Sequence, residues 1–313
     1  MPHRSTDLPR RTVAKAAAVA GLAVLFGAGA ATGRAGAATR LGPRTVDVSV
    51  SSTALGRGAP VRLILPSGFD TQPGRTYPVL YLLHGAHDDY TSWTRETDIE
   101  AFTEGRDLIV AMPDAGPTGI PTAWRDGSDY ETFQLEEVPA LLRRDYRASG
   151  VRAVAGVSTG GYGAMAHAAR HPGAFTAAAS YSGILDTTAP GVPAVMDAIV
   201  ARENLSPASL WGHPILNLLT WRDFNPRARA AGLRGTALYV SNGSGLGSGG
   251  DPLPGVLESV LWPSAQGFAG ALRRLGVPVT THFYQGGGHD WAYWKPEFAA
   301  SWPMLARALG LPE

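Results

Sequence analysis

The chain has 313 residues, 44% of them apolar and 17% charged, which is enough apolar material for one sizeable core. Its formal net charge of +1 hides an uneven split: residues 1–37 carry Arg4, Arg10, Arg11, Lys15 and Arg34 against Asp7, a net of +4, leaving −3 for the remainder. A remainder without basic excess argues against a nucleic-acid partner, and the absence of cysteine excludes disulfides, thiolate metal sites and a Cys nucleophile.

Taken in chain order, the first element is an export signal. Arg10-Arg11-Thr12-Val13-Ala14-Lys15 precedes an apolar run from Ala16 to Ala31, and Ala35-Gly36-Ala37 offers the small-x-small pattern of a processing site. A signal peptide over residues 1–37, cut before Ala38, is therefore expected. The run is rich in Ala and Gly and falls short of the about 20 strongly apolar residues that span a bilayer, so no lasting membrane anchor is expected. The mature chain 38–313 would then be extracellular or associated with the cell envelope. The paired arginines resemble a twin-arginine signal; an ordinary basic leader fits them as well.

Strands follow at Thr45–Ser51 and Val61–Leu65. Pro78–Leu83 and Asp107–Met112 are short apolar runs of the kind that are buried on both faces. Arg152–Val157, Ala177–Ser182, Thr236–Ser241 and Val279–Tyr284 continue the series. Helical stretches lie between them: Glu131–Tyr146, which Pro139 should kink or split, Gly161–His171, Val256–Leu275 with a break expected at Pro263, and Pro296–Leu309. Strands alternating with helices predict a mainly parallel sheet covered on both faces. Leu185–Ala231 departs from this rhythm. It holds five prolines and two tryptophans, has only short helical pieces around Ala194–Arg202 and Ile215–Leu219, and exceeds a normal connection. It reads as an insertion near the mouth of a site, or as a structural cap without ligand contact.

Gly156-Val157-Ser158-Thr159-Gly160 fits G-x-S-x-G. The context is more informative than the pattern: an apolar strand precedes it, and a helix rich in small residues (Gly161, Gly163, Ala164, Ala166) follows. A serine on such a sharp strand-to-helix turn stands above the sheet, and the next N–H faces a developing oxyanion. This is the nucleophile elbow of an α/β-hydrolase fold. A serine hydroxyl needs a base. His289, in the glycine-rich stretch Gly286-Gly287-Gly288 after the last strand, is best placed, because the chain order in this fold is Ser, acid, His. His282 lies within a strand, and His213 in the insertion is at most a substrate contact. Asp251 and Glu258 both follow the strand Thr236–Ser241, and position alone slightly favours Asp251. The step His84-Gly85-Ala86 ends an early strand, and with Thr159 it makes the N–H groups of Ala86 and Thr159 the expected oxyanion donors. His84, His87, Asp88 and Asp89 form the one candidate metal cluster, but no further cluster supports it, and neither metal nor cofactor is expected. Gly245-Leu246-Gly247-Ser248-Gly249-Gly250 matches G-x-G-x-x-G but is followed at once by Pro252 and Pro254, so it reads as a flexible loop and not a dinucleotide site.

These residues together resemble the esterase family that includes esterase D and, more closely, the mycobacterial antigen 85 mycolyltransferases. The likeness runs from about Val46 to Leu309. It is carried by Tyr81–Trp93 with Asp88-Asp89-Tyr90, Glu131-Thr132-Phe133, Glu137-Val138-Pro139 and the Ser158 elbow, then by Leu210-Trp211-Gly212, Ser241-Asn242-Gly243, Val256-Leu257-Glu258 and His289-Asp290-Trp291-Ala292-Tyr293-Trp294. The resemblance implies that the acid is Glu258, with Asp251 the fallback. It implies a serine esterase acting on a small-molecule or lipid ester, or alternatively an acyltransferase to a sugar or alcohol. A secreted binding protein that keeps the fold is a third reading, but binding alone would need none of Ser158, Glu258 and His289. His87, Trp211 and Trp291 are the candidate substrate contacts. One departure stands out: where antigen 85 proteins have Asp-Gly-Leu-Arg, with an Asp and an Arg on trehalose, this chain has His84-Gly85-Ala86-His87.

Overall fold

Strand formation follows the apolar runs. A computed structural model describes residues 34–246 and 252–312. Residues 1–33, which hold most of the expected leader, and Asp251 lie outside them. Among the described residues the strands are β1 (Arg34–Arg40), β2 (Thr45–Ser52), β3 (Arg57–Ile64), β4 (Tyr77–Leu83), β5 (Ile109–Pro113), β6 (Ala148–Val157), β7 (Ala177–Tyr181), β8 (Ala237–Gly243) and β9 (Thr280–Tyr284). They form one sheet in the order β1-β2-β3-β5-β4-β6-β7-β8-β9. The first three are antiparallel, β3 pairs antiparallel with β5, and from β5 to β9 every pair is parallel. The expected mainly parallel sheet is thus present, with an antiparallel edge. Strand β1 had not been read from the sequence, and the expected cut before Ala38 falls within it.

Between β4 and β5 lie the short helices α1 (Ser92–Glu96) and α2 (Ile99–Phe102). Before β6 the chain runs through α3 (Tyr130–Thr132), a π-helical turn Phe133–Glu137 and α4 (Val138–Asp145). The break expected at Pro139 takes this form: Pro139 stands in the first turn of α4, where its missing N–H costs nothing, and the wider turn precedes it. Helix α5 (Thr159–Arg170) follows β6. The insertion holds α6 (Val192–Arg202), α7 (Ala208–Trp211), α8 (Leu218–Asp223) and a 3-10 turn Ala230–Leu233. Helix α9 (Pro252–Arg274) leads to β9, and α10 (Trp291–Leu309) closes the chain.

Two helix expectations need correction. Pro263 does not break α9, and α10 begins at Trp291, ahead of Pro296. Leu261, Ala265, Phe268 and Leu272 recur on one buried face of α9. Burying each large side chain contributes about 1.5–3 kcal/mol, which together outweighs the roughly 3 kcal/mol cost of an internal proline. In α10 the start is set by Asp290, whose side chain accepts from the Ala292 N–H at 2.8 Å, an N-cap upstream of the proline.

The sheet divides the core. Val79, Tyr81 and Leu83 of β4 face one side, with Tyr162, Met165 and Phe268; Leu80 and Leu82 face the other, with Trp93, Phe298 and Trp302. Period-2 alternation under two covered faces is why the run Pro78–Leu83 is apolar throughout. Strand β4 lies between β5 and β6, so the chain leaves it in one direction and returns on the other side. The crevice at the carboxyl ends of the strands opens at such a switch point.

Candidate active site

Ser158 follows β6 directly and caps α5 with φ 54° and ψ −122°. A positive φ is uncommon for a residue with a Cβ, and this strain is what lifts the hydroxyl clear of the sheet. The flanking glycines permit the turn. A Cβ on Gly156 would lie 2.2 Å from the Gly160 carbonyl oxygen, and one on Gly160 would lie 2.4 Å from the carbonyl oxygens of both Leu83 and His84. The Ser158 N–H donates to the Tyr181 carbonyl at 2.9 Å, which ties the turn to β7.

His289 reaches Ser158 from the loop after β9. Its Nδ1 lies 2.7 Å from Glu258 Oε1 and its Nε2 lies 2.8 Å from Ser158 Oγ. A carboxylate only accepts, so Nδ1 carries the proton and donates to Glu258, leaving Nε2 to accept from the Ser158 hydroxyl. Trp294 packs edge-on to the imidazole, with centroids 5.0 Å apart. Glu258 is fully buried on α9. Its second oxygen accepts from Asn242 Nδ2 at 2.6 Å and from the Gly243 N–H at 2.8 Å, both at the end of β8. Three donors therefore fix the carboxylate, and Asn242, in the Ser241-Asn242-Gly243 stretch, is a participant whose side-chain role the sequence does not reveal.

Gly85 packs against the serine: a Cβ there would lie 3.3 Å from that of Ser158. This puts the Gly85–Ala86 peptide beside Ser158. Thr159 opens α5, so its N–H has no carbonyl within the helix to bond. His84 is buried between Gly85 and Ala115, bonded to the backbone of both. Asp88 pairs with Arg95 at 2.7 Å, Asp89 accepts from the Thr91 N–H at 2.7 Å, and His87 pairs with Glu203. The suspected metal cluster is thus dispersed onto separate protein partners.

A cavity of about 350 Å³ opens at Ser158 and His289. Val195, Ala198, Ile199 and Arg202 of α6 line one wall, at the i, i+3, i+4, i+7 spacing of a single helix face. Ile184, Leu257 and Leu261 add apolar surface, with Trp291 and Trp294 at spacing i, i+3 on α10. A polar cleft adjoins this chamber and shares His87, Asp88 and Arg202 with it.

His87 and Trp291 therefore stand at the cavity, as expected. Trp211 does not. It is fully buried, stacked on Phe224 with centroids 5.1 Å apart and edge-on to Trp221. The insertion reaches the cavity through α6 and uses Trp211 as its own core. His282 bonds Glu297 at 2.7 Å on the far side of β9, and Glu297 accepts from the Tyr239 hydroxyl. Among the described residues no serine is hydrogen-bonded to this His–Glu pair. His213 is exposed in the insertion and is not part of the cavity wall. The walls supplied by α6 and Trp294 were missed. The α6 spacing was a visible signal, but Trp294 was hidden by the misplaced start of α10.

A family model described as "Putative esterase" matches residues 52–305. The chain belongs to this esterase family. The chain is 29% identical over 267 residues to esterase MT1326 of Mycobacterium tuberculosis, covering 78% of its own length and 56% of the relative's. It spans about half of that relative. It is 30% identical over 321 residues to the diacylglycerol acyltransferase/mycolyltransferase Ag85B of Mycobacterium intracellulare, covering 96% of this chain and 94% of that one. Among solved structures, M. tuberculosis MPT51 (FbpC1) superposes with a TM-score of 0.70 over 88% of this chain and 99% of its own, at 24% identity, a likeness of fold. The α/β-hydrolase fold is thereby established. The relatives carry the names of an esterase and of an acyltransferase.

Proposed function

We propose that this protein hydrolyses carboxylic esters through an acyl-enzyme on Ser158. The observation that carries this reading is the unbroken hydrogen-bond relay from Ser158 to His289 to Glu258 at the mouth of an apolar chamber. His289 takes the hydroxyl proton as Oγ attacks the ester carbonyl, and Glu258 holds the imidazole in its tautomer and stabilises the imidazolium. The N–H groups of Ala86 and Thr159 receive the oxyanion. His289 then protonates the leaving alcohol, and water, activated by the same imidazole, releases the acid. The chamber takes the acyl group; at about 30 Å³ per water-sized atom its volume suits on the order of ten heavy atoms. His87 and Trp291 contact substrate at its two ends.

Acyl transfer is the second reading. The polar cleft beside the chamber is positioned to seat an alcohol, and the relative named diacylglycerol acyltransferase/mycolyltransferase aligns over nearly the whole chain. We further propose export, with the leader removed before Ala38. Among the described residues no helix is long and apolar enough to cross a membrane.

Nitrophenyl esters of increasing chain length, turned over with and without glycerol or trehalose, test both readings. Hydrolysis predicts free acid whose yield is indifferent to the added alcohol, with a preference for short and medium chains. Acyl product on the alcohol would favour transfer. Ser158→Ala should abolish turnover; residual Ser158-independent activity would sink both.

A further inference from the structure

We propose that His84 is a positioning residue for catalysis: from behind the site it fixes the Gly85 carbonyl, and through it the direction of the Ala86 N–H. The inference rests on the acyl-enzyme reading, in which that N–H receives the oxyanion. A trans peptide is planar, and its C=O and N–H point to opposite sides. Whatever fixes the Gly85 oxygen therefore also aims the Ala86 hydrogen.

The His84 ring is 1% exposed and held from both nitrogens. The Ala115 N–H donates to Nε2 at 3.0 Å, so Nε2 is the acceptor and the proton resides on Nδ1. Nδ1 in turn donates to the Gly85 carbonyl at 2.9 Å. Burial pushes the imidazole below its ordinary value, which keeps the ring neutral and able to play both parts.

The same loop after β5 meets the oxyanion loop twice more. Pro117 accepts from the His87 N–H at 2.8 Å. Gly119, at φ +59°, lies so close that a Cβ there would be 2.4 Å from the Gly85 oxygen and 2.7 Å from Thr159 Oγ1. Ala115 thus holds the His84 ring, Pro117 the His87 N–H, and Gly119 lies against the Gly85 carbonyl. His87 itself is at φ +61°, a conformation with a steric cost that the Pro117 bond helps to hold.

The two nitrogens can be separated by substitution. Asn places its amide nitrogen near the Nδ1 position and keeps the grip on Gly85. Gln places its amide oxygen near Nε2 and keeps only the Ala115 bond. Removing an oxyanion donor lowers rate by about 10² to 10³, so partial misalignment in His84→Gln should lower kcat by about 10- to 100-fold, with KM within about threefold. Its affinity for a trifluoromethyl ketone, which forms the tetrahedral adduct, should fall in parallel. His84→Asn should stay within about fivefold of wild type in both measurements. Gly119→Ala gives a second route, since its methyl displaces the Gly85 oxygen directly; it too should lower kcat and spare KM. Equal losses in the Asn and Gln variants, a change confined to KM, or wild-type kcat in Gly119→Ala would overturn the proposal. Ser158→Ala, run alongside, separates this from failure of the acyl-enzyme reading: only turnover without Ser158 speaks against the latter.

Discussion

At the scale of single residues, Glu258 shows why side-chain length matters. Its carboxylate sits on α9 and meets three donors at once: His289 at Oε1, and Asn242 and Gly243 at Oε2. Chain position alone slightly favours Asp251, which lies outside the described residues; the contact of Glu258 with His289 supports Glu258 as the proposed acid. Glu258→Gln keeps the shape but presents either a neutral oxygen or an N–H to His289, so it no longer stabilises an imidazolium. It should lower kcat by about 10³ to 10⁴, the scale of losing the acid in such a relay, whereas Asp251→Asn should stay within about twofold. Steady-state kinetics on a nitrophenyl ester read both; the reverse ranking would move the acid back to Asp251.

At the scale of elements, the π-helical turn explains a motif that the sequence displayed without a function. Its Gln134 donates to the Asp114 carbonyl at 3.0 Å and accepts from His167 of α5 at 3.0 Å. The segment Glu131–Glu137 thereby braces α5, which Ser158 caps, and the loop that carries Ala115. His167 is completely enclosed, and burial pushes its imidazole down to about 4. An unfolded histidine takes its proton near 6.5. Between those values the unfolded chain binds a proton that the folded one refuses, so stability falls as pH drops from about 6.5 to about 4. A shift of that size corresponds to on the order of 3 kcal/mol. Glu131 acts in the next window. Burial alone would raise its carboxyl, but the hydrogen bond from His171 and the nearby His167 and Arg170 outweigh it and hold it at about 2. Its contribution is complete above the ordinary carboxylate range and is lost as pH falls toward about 2. Urea midpoints at pH 7, 5.5 and 4.5 should therefore decline steadily, and His167→Gln should flatten that decline even if it lowers the midpoint at pH 7. An unchanged slope would place the acid sensitivity elsewhere.

At the scale of the whole molecule, the site is gathered along one edge of a sheet. β4 delivers the His84–Ala86 loop, β6 Ser158, β8 the partners of Glu258 and β9 the loop of His289. β1 stands at the opposite end of the strand order, several strands from the crevice. A chain beginning at Ala38 loses the pairings of Arg34 and Ala35 but keeps those of Ala38, Thr39 and Arg40 with β2. It should retain kcat/KM within about twofold and unfold within a few degrees of the longer form, as expected for loss of about 1 kcal/mol or less from a large domain. A large loss of either would mean that the start of β1 is integral to the fold.

By itself the sequence determined what depends on local pattern. Period-2 and all-apolar runs marked the inner strands to within a few residues, because a strand covered on both faces has little freedom in composition. The G-x-S-x-G turn and the glycine loop before His289 were legible because tight turns admit few residue types. The tertiary structure decided what depends on distance in space. It brought Glu258 to His289, because the two are 31 positions apart in sequence and only the packing of α9 on β8 sets the carboxylate beneath the imidazole. It kept α9 and α10 continuous through their prolines, because burial of a long face outweighed single lost hydrogen bonds. It removed Trp211 from the site, because whether a tryptophan faces a ligand or a core depends on which way its element is turned.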